Sequence, residues 1–308
     1  MRRPRALRSG DRLAIVAPAS PFRREEFDAG LDEVRRLGFE PVFDDRVFAR
    51  RGYVAGEPAL RAAALRDALH DAGVAGILCA RGGYGSVQVL PLLDPDEIRE
   101  AGKPIVGYSD ITSLLAYVTG RCGLVAFHGP MLAGRFARGE AGYDRASFLR
   151  VLTEPTPPGE LGAGTLASIR PGEAVGPLFG GTLTQLVASL STPYAFDPPD
   201  GHVLFLDEVG ERPYRLDRML TQWRLSGRLA RASGLVFGEL PGCDEPGGAP
   251  TAREVIADLL DGFPGPVALG LPSGHTTRPA LTLPLGVRVR LLTRGQPRFI
   301  VEEAGVQR

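Results

Sequence analysis

Within the first half of the chain stands the stretch Lys103-Pro-Ile-Val-Gly-Tyr-Ser-Asp-Ile-Thr-Ser-Leu-Leu115, where an apolar strand turns directly into a helix. Ser109 lies at the corner, two residues after Gly107. A serine at such a corner projects from the carboxyl edge of a sheet, beside free helix N–H groups, and is a candidate nucleophile. The pattern is looser than Gly-x-Ser-x-Gly because Ile111 replaces the second glycine. A plain helix N-cap serine is the alternative interpretation of Ser109.

The segments around this stretch alternate between strand-like and helix-like patterns. The strand-like runs are Arg12–Ala17, Phe39–Phe43, Val74–Ala80, Pro104–Tyr108 and Leu124–Phe127. Between them, Phe27, Leu31 and Val34 have helical spacing, and further helices are predicted over about residues 58–72 and 110–118. Such alternation predicts an α/β fold in which helices cover both faces of a parallel sheet.

A change of composition divides the 308 residues into two parts. Thr153–Gly164 contains three prolines and three glycines and has no hydrophobic period. We therefore predict an N-terminal α/β domain over residues 1–152, a linker over 153–164 and a smaller C-terminal α/β domain over 165–308. The expected elements of the second domain are a helix over residues 183–190, the strand Val203–Leu206, a helix from Pro213, the strand Gly234–Phe237, and a hairpin of Val287–Leu292 and Arg298–Val301.

Charge and cysteine content exclude several classes of protein. The 36 basic and 36 acidic side chains cancel, and no block of like charge exists, so neither nucleic acid nor a membrane surface is an expected partner. The uncharged stretch 174–196 is interrupted by prolines, glycines and hydroxyl residues and is expected to be buried in the protein. Three scattered cysteines, and no long apolar segment near Met1, favour a reducing cytoplasm.

A second glycine-rich corner, Arg81-Gly-Gly-Tyr-Gly-Ser86, follows the predicted strand Val74–Ala80. Loops at this end of a parallel strand commonly contact ligands. Its spacing matches neither the dinucleotide fingerprint nor the phosphate-binding P-loop, so a nucleotide site is disfavoured. The open interpretations are a backbone N–H donor beside Ser109, where glycine permits close approach, and a simple turn.

Few side chains could act as a general base. The four histidines are His70, His128, His202 and His275. His128 follows a strand and His275 lies in a polar loop, and the residues alone leave these two close. Histidines and cysteines show no metal-ligand spacing, so no metal is expected. Asp207 and Glu208 follow the strand Val203–Leu206, and strand alternation lets only one of them face a given site.

Taken in order, these motifs resemble the LD-carboxypeptidase family of serine peptidases, which includes muramoyltetrapeptide carboxypeptidases and microcin-C immunity peptidases. The matching segments begin at Gly10, Arg81, Gly107, His128, Gly180, Leu204 and Gly274 and span nearly the whole chain. The resemblance implies a triad in which Ser109 is the nucleophile and His275 the base, with the N–H groups of Gly83 and Asp110 as the oxyanion hole. The family usually has Leu-Glu-Asp where this chain has Leu206-Asp-Glu208, so ungapped register makes Asp207 the acid, and a shift of one residue would make it Glu208.

The resemblance also implies a function. We expect a cytoplasmic, cofactor-free serine carboxypeptidase, a homodimer, that hydrolyses the L,D-peptide bond to a C-terminal D-amino acid in murein-derived peptides through an acyl-enzyme. One alternative is an immunity-type peptidase that acts on aminoacyl or peptidyl nucleotides. An alternative of another class is a non-catalytic protein that binds a small ligand at the glycine-rich loop.

Overall fold

The fold comprises fourteen strands and eight α-helices, and the computed structural model describes all 308 residues. The strands are β1 (Arg12–Val16), β2 (Glu40–Val42), β3 (Val74–Cys79), β4 (Ile105–Gly107), β5 (Ala126–His128), β6 (Gly159–Leu161), β7 (Ala167–Arg170), β8 (Glu173–Thr182), β9 (His202–Asp207), β10 (Ala232–Phe237), β11 (Val267–Leu269), β12 (Leu283–Leu285), β13 (Arg288–Leu292) and β14 (Arg298–Val301). The helices are α1 (Arg24–Arg36), α2 (Pro58–His70), α3 (Pro95–Ala101), α4 (Thr112–Gly120), α5 (Arg145–Thr153), α6 (Leu183–Ala188), α7 (Pro213–Leu225) and α8 (Ala252–Leu259).

The first sheet has the strand order β12-β5-β4-β3-β1-β2. Strands β1 to β5 are parallel, and β12 is added antiparallel at the β5 edge. Apolar strands of this kind require cover on both faces, and α1 supplies part of it by burying Phe27, Leu31 and Val34. All five strands predicted in this half are present, and the α/β class is confirmed.

The second sheet has the order β6-β14-β13-β8-β9-β10-β11-β7. Its centre, β8 to β11, is parallel, and its outer strands are antiparallel. The predicted closing hairpin is confirmed as the antiparallel pair β13–β14. The uncharged stretch 174–196 forms most of β8 and all of α6, and no helix of the chain is both long and apolar enough to span a bilayer.

Two segments differ from the sequence predictions. The predicted linker 153–164 contains β6, a three-residue edge strand whose neighbouring prolines and glycines hide it in the sequence. The second difference is β12, which belongs to the predicted C-terminal domain 165–308 but pairs with β5 of the first sheet. Its central Pro284 is compatible with an edge position, because an edge strand need not donate every N–H.

The two sheets are packed against one another. The largest apolar core contains side chains of the first sheet together with Leu178, Val203 and Phe205 of the second. Near this contact, the N–H of Thr182 at the end of β8 donates to the hydroxyl of Thr112, the first residue of α4. The carboxyl ends of β4 and β9, which carry the candidate nucleophile and acids, are thereby held in fixed relation.

Candidate active site

Ser109 occupies a strained turn between β4 and α4. Its φ of 62° lies in the left-handed region, which a non-glycine residue enters at a cost of about 1–3 kcal/mol. A Cβ on Gly107 would lie 2.6 Å from Ile111 Cγ2, so the sharp turn requires glycine there. The Ser109 hydroxyl caps neither the short 3₁₀ turn 109–111 nor α4. The N-cap interpretation of Ser109 is therefore wrong, and the turn has the geometry of a nucleophile elbow.

The loop 81–86 packs directly on this turn. A Cβ on Gly82 would lie 2.9 Å from Ser109 Cβ, so glycine is what permits the close approach. Gly83 has a φ of 96°, and neither its N–H nor that of Asp110 donates in any turn or loop hydrogen bond of the chain. One of these free donors follows Gly82, the residue in contact with Ser109, and the other follows Ser109 itself. Such a pair is what an oxyanion hole requires.

The Asp110 carboxylate joins this loop to the turn that carries Ser109. The N–H of Ser86 donates to Asp110 Oδ2 at 2.8 Å, and the Ser86 hydroxyl donates to the Asp110 carbonyl. Asp110 is only 1% exposed, and burial raises the pKa of its carboxyl group. The side chain of Asp110 therefore supports the loop, while its backbone N–H donates in no turn or loop hydrogen bond.

His275 is oriented by Asp207, the last residue of β9. Nδ1 of His275 donates to Asp207 Oδ2 at 2.7 Å, and the His275 backbone N–H donates to Oδ1 at 3.0 Å. Thr182 donates its hydroxyl to the same carboxylate at 3.3 Å. Asp207 is fully buried, and a Cβ on Gly274 would lie 2.4 Å from its Oδ2, so glycine must precede the histidine. Two bonds to one carboxylate fix both the ring and the backbone of His275.

This pairing leaves the other ring nitrogen of His275 available. Nε2 is bonded to no group of the chain, and the side chain remains 18% exposed. Burial lowers the pKa of His275, but the hydrogen bond to Asp207 and the charge of that carboxylate outweigh burial, so the pKa is raised above 6.5. A histidine with one nitrogen on a buried acid and the other open is arranged as a general base.

Tyr108, the residue before Ser109, contacts His275. The Tyr108 ring lies edge-on to the His275 ring, with 5.1 Å between the centroids. The Ser109 hydroxyl and His275 are not hydrogen-bonded to each other in this structure. Contacts between nucleophile and base are often loose in unliganded enzymes and tighten when substrate binds.

Glu208 points away from His275. Its Oε1 accepts from the N–H of Thr184 at 2.7 Å, and its Oε2 accepts from its neighbour Val209 at 3.1 Å. Thr184 is in the first turn of α6, so Glu208 accepts a hydrogen bond from one of the free N–H groups at the start of that helix. Strand alternation separates the two acids, and the structure brings Asp207, not Glu208, to the histidine.

Of the remaining histidines, His128 lies against the His275 loop, whereas His70 and His202 lie away from the site. His128 is fully buried, and burial lowers its pKa to about 4, so it is neutral. Its Nδ1 donates to the Ser273 hydroxyl at 3.0 Å, and that hydroxyl donates to the carbonyl of Leu281. Through Ser273, His128 thus supports the loop that leads to His275. His202 Nδ1 contacts the carbonyl of Pro199, and His70 lies on the exposed side of α2.

A cavity of about 190 Å³ lies between α4, α6 and the segment that begins with the glycine-rich loop. Its lining includes Tyr84 of the glycine-rich loop, Ser113 one turn beyond Ser109, and Gln185 of α6. None of the lining side chains is charged. No three His, Cys, Asp or Glu side chains converge anywhere in the chain as they would around a metal ion.

Sequence reasoning missed three residues that complete the site. Thr182 lies in the matching segment that begins at Gly180, which is a signal in the sequence, but only the structure shows its contact with Asp207. Glu239 accepts from the Thr276 hydroxyl and from Thr277, and Arg135 contacts the carbonyls of the His275 loop. Neither Glu239 nor Arg135 stands in a motif, and only the folded chain reveals their position.

Comparison with known proteins gives matches along most of the chain. The model of the LD-carboxypeptidase N-terminal domain matches residues 13–129, and that of the LD-carboxypeptidase C-terminal domain matches residues 175–291. A Streptomyces coelicolor protein is 40% identical over 301 residues, 94% of this chain and 93% of that protein. The murein tetrapeptide carboxypeptidase of Pseudomonas aeruginosa is 30% identical over 276 residues, 86% of this chain and 88% of that protein.

A solved structure shares the fold. The microcin C7 self-immunity protein of Escherichia coli is 27% identical over 302 residues, 89% of this chain and 88% of that protein. Its structure in complex with aspartyl sulfamoyl adenosine superposes on this chain with a TM-score of 0.89 and 24% identity, covering 99% of each chain.

Proposed function

Since the chain belongs to the LD-carboxypeptidase family, we propose that it is a serine carboxypeptidase that hydrolyses the L,D-peptide bond to a C-terminal D-amino acid in murein-derived peptides. The observation that carries the proposal is the His275–Asp207 pair, at 2.7 Å, beside the strained turn at Ser109. Family membership supports a peptidase that hydrolyses peptides from the carboxyl end. The serine mechanism and the substrate are the proposal.

In the first half of the reaction, Ser109 Oγ attacks the carbonyl carbon of the scissile bond. The hydroxyl proton passes to His275 Nε2, and Asp207 stabilises the imidazolium through its bond to Nδ1. The carbonyl oxygen becomes negatively charged and accepts from the N–H groups of Gly83 and Asp110. When the tetrahedral intermediate collapses, the C–N bond breaks and the imidazolium protonates the departing amine. The D-amino acid leaves, and the acyl group remains on Ser109.

Water completes the cycle. His275, neutral again, takes one proton from a water molecule as the water oxygen attacks the acyl carbon. The second tetrahedral intermediate expels Ser109 Oγ, which regains the proton from His275. The shortened peptide leaves with a new carboxylate, and the balance is one water consumed for one peptide bond hydrolysed.

The direct test is incubation with a murein tetrapeptide, with products identified by mass. We expect the tripeptide and the free D-amino acid. Labelling by a fluorophosphonate, which reacts with activated serines, separates this proposal from a non-catalytic binding protein. An enzyme should be labelled at Ser109, and a protein that only binds a ligand should not be labelled.

A second candidate is an immunity-type peptidase that acts on aminoacyl or peptidyl nucleotides. One observation favours it besides the shared fold. Tyr84 of the glycine-rich loop and Tyr53 are both exposed, and their ring centroids lie 5.6 Å apart, so a flat base could stack on them. Aspartyl sulfamoyl adenosine offered in parallel with the tetrapeptide decides between the two substrates, since each leaves products of different mass.

The cellular setting is part of the proposal. Cys79, Cys122 and Cys243 are free and buried, which suits a reducing cytoplasm. We also expect a homodimer and no cofactor. Light scattering on a sizing column gives the molar mass in solution, and a mass near that of a 32.9 kDa monomer would contradict the dimer.

A further inference from the structure

We infer that Arg135 is a positioning residue for His275, an inference that rests on the proposed function. Arg135 precedes the short 3₁₀ segment 136–141 and is only 7% exposed. Its Nη2 donates to the carbonyl of Gly274 at 2.7 Å and to that of Thr276 at 2.8 Å. These are the two residues on either side of His275. One guanidinium nitrogen therefore holds the backbone of the proposed base from both directions.

The same guanidinium also contacts the nucleophile side of the site. It lies over the Tyr108 ring, 6.0 Å from the centroid, and Tyr108 directly precedes Ser109. The same ring contacts His275, with 5.1 Å between the two ring centroids. Arg135 belongs to the N-terminal half, whereas the His275 loop belongs to the C-terminal half. A single side chain thus links the residue before the nucleophile to the two residues that flank the base.

The chemistry of this contact separates it from ordinary packing. Arg135 has no carboxylate partner, and its charge is compensated only by carbonyls and an aromatic face. Burying an unpaired cation is unfavourable, so the contacts must be tight for the arrangement to persist. While Nη2 donates to the carbonyls on either side of His275, Nη1 donates to those of Gly142 and Arg278 at 3.4 and 3.5 Å. Lysine, a point charge on a flexible stem, has one nitrogen and cannot serve both pairs of carbonyls.

The position of the charge gives the inference a second consequence. The titratable and charged groups around His275 and its loop are Asp207, Glu208, Arg135, Tyr108, His128, Glu239 and Arg278. Burial is the main cause that lowers the pKa of His275, and the charge of Arg135 adds to it, whereas Asp207 and Glu208 raise that pKa. Because no carboxylate pairs with Arg135, its positive charge is not cancelled and acts on His275. Arg135 therefore orients the imidazole and limits how strongly the two acids raise its pKa.

The experiment measures the rate of fluorophosphonate labelling at Ser109 against pH, with kcat on the tetrapeptide in parallel. Labelling needs neutral His275, so the rate rises with pH to a plateau. In Arg135→Met the labelling rate at the plateau should fall by about 10²-fold, as for a misplaced catalytic group. The pH at which the rate reaches half its plateau should rise, because the charge that lowers the pKa of His275 is lost. In Arg135→Lys the charge stays, so the plateau should fall while the half-plateau pH stays unchanged. Arg138→Met, an exposed arginine three residues on, is the matched control and should change neither.

Each outcome decides the inference. A wild-type plateau in either Arg135 variant would overturn it, and so would a lowered plateau in Arg135→Met with an unchanged half-plateau pH, which lost packing alone would produce. If circular dichroism shows that Arg135→Met does not fold, Arg135→Lys decides by its plateau. Absence of labelling in the wild-type protein would instead refute the proposed function, so the two failures are distinguishable.

Discussion

Replacing Asp207 by alanine tests the assignment of the acid most sharply. The substitution removes two hydrogen bonds that fix His275, one from Nδ1 at 2.7 Å and one from the backbone N–H at 3.0 Å. Hydrogen bonds to a charged group contribute about 1.5–3 kcal/mol each, so the pair contributes about 3–6 kcal/mol. At about 1.4 kcal/mol for each factor of ten, kcat should fall by about 10²- to 10⁴-fold, and loss of an orienting acid elsewhere lies at the upper end.

The neighbouring acid supplies the control. Glu208→Gln keeps an oxygen for the N–H of Thr184 and should leave kcat nearly unchanged. Glu208→Ala leaves that N–H without its partner and should lower the free energy of unfolding by about 1–3 kcal/mol, again with little effect on kcat. Asp207→Glu should keep measurable activity because the carboxylate is retained. The assay is initial-rate hydrolysis of the tetrapeptide, with urea unfolding for stability.

Two results would refute this reasoning. If Glu208→Gln were inactive and Asp207→Ala nearly normal, the triad acid would be the second carboxylate and the register would slip by one residue. An equal fall of kcat in Asp207→Ala and Glu208→Gln, with both proteins folded, would show that the hydrogen bonds from His275 to Asp207 do not distinguish the two acids.

Three further predictions concern pH, backbone and metal. Burial lowers the pKa of His275, but its hydrogen bond to Asp207 outweighs burial and raises the pKa above that of a free imidazole. Only the neutral ring accepts a proton, so kcat/KM should fall as the pH is lowered, with its half-point above the pKa of a free imidazole; a half-point below that pKa would contradict this. Gly274→Ala should lower kcat by about 10²-fold, because the new Cβ would lie 2.4 Å from Asp207 Oδ2 and displace His275. Gly295→Ala, at a similar φ of 69° in open space, is its control and should keep full activity; an active Gly274→Ala would show that the loop tolerates the shift. Dialysis against a strong chelator should leave the rate unchanged, since no cluster of ligating side chains exists, and activity lost and then restored by zinc would contradict the serine mechanism.

Much of the first sheet was predictable because its strands are continuous apolar runs and its helices have apolar faces at regular spacing. Ser109 could be found for the same reason: a strand that turns into a helix at Gly107 leaves a local signature. The pairing of β12 with β5 joins residues more than 150 positions apart, and nothing local in Leu283–Leu285 indicates which sheet it enters. Pairing between distant segments depends on how the two halves pack.

The site shows the same division. Residue patterns placed His128 and His275 on equal terms, because both follow apolar strands or precede them in polar loops. Burial decides between them, since His128 is enclosed and neutral while His275 keeps an open nitrogen. Arg135 could not be found from the sequence, because one arginine among many gains its role only by meeting the carbonyls of Gly274 and Thr276 in space.

The most direct test of the serine carboxypeptidase mechanism is the hydrolysis of a murein tetrapeptide by wild-type protein and by Ser109→Ala, followed by mass spectrometry. The wild-type protein should release the C-terminal D-amino acid and leave the tripeptide. Ser109→Ala, with the fold unchanged by circular dichroism, should be slower by about 10⁴- to 10⁶-fold. A folded Ser109→Ala protein that kept more than about a tenth of the wild-type rate would contradict the assignment of Ser109 as nucleophile.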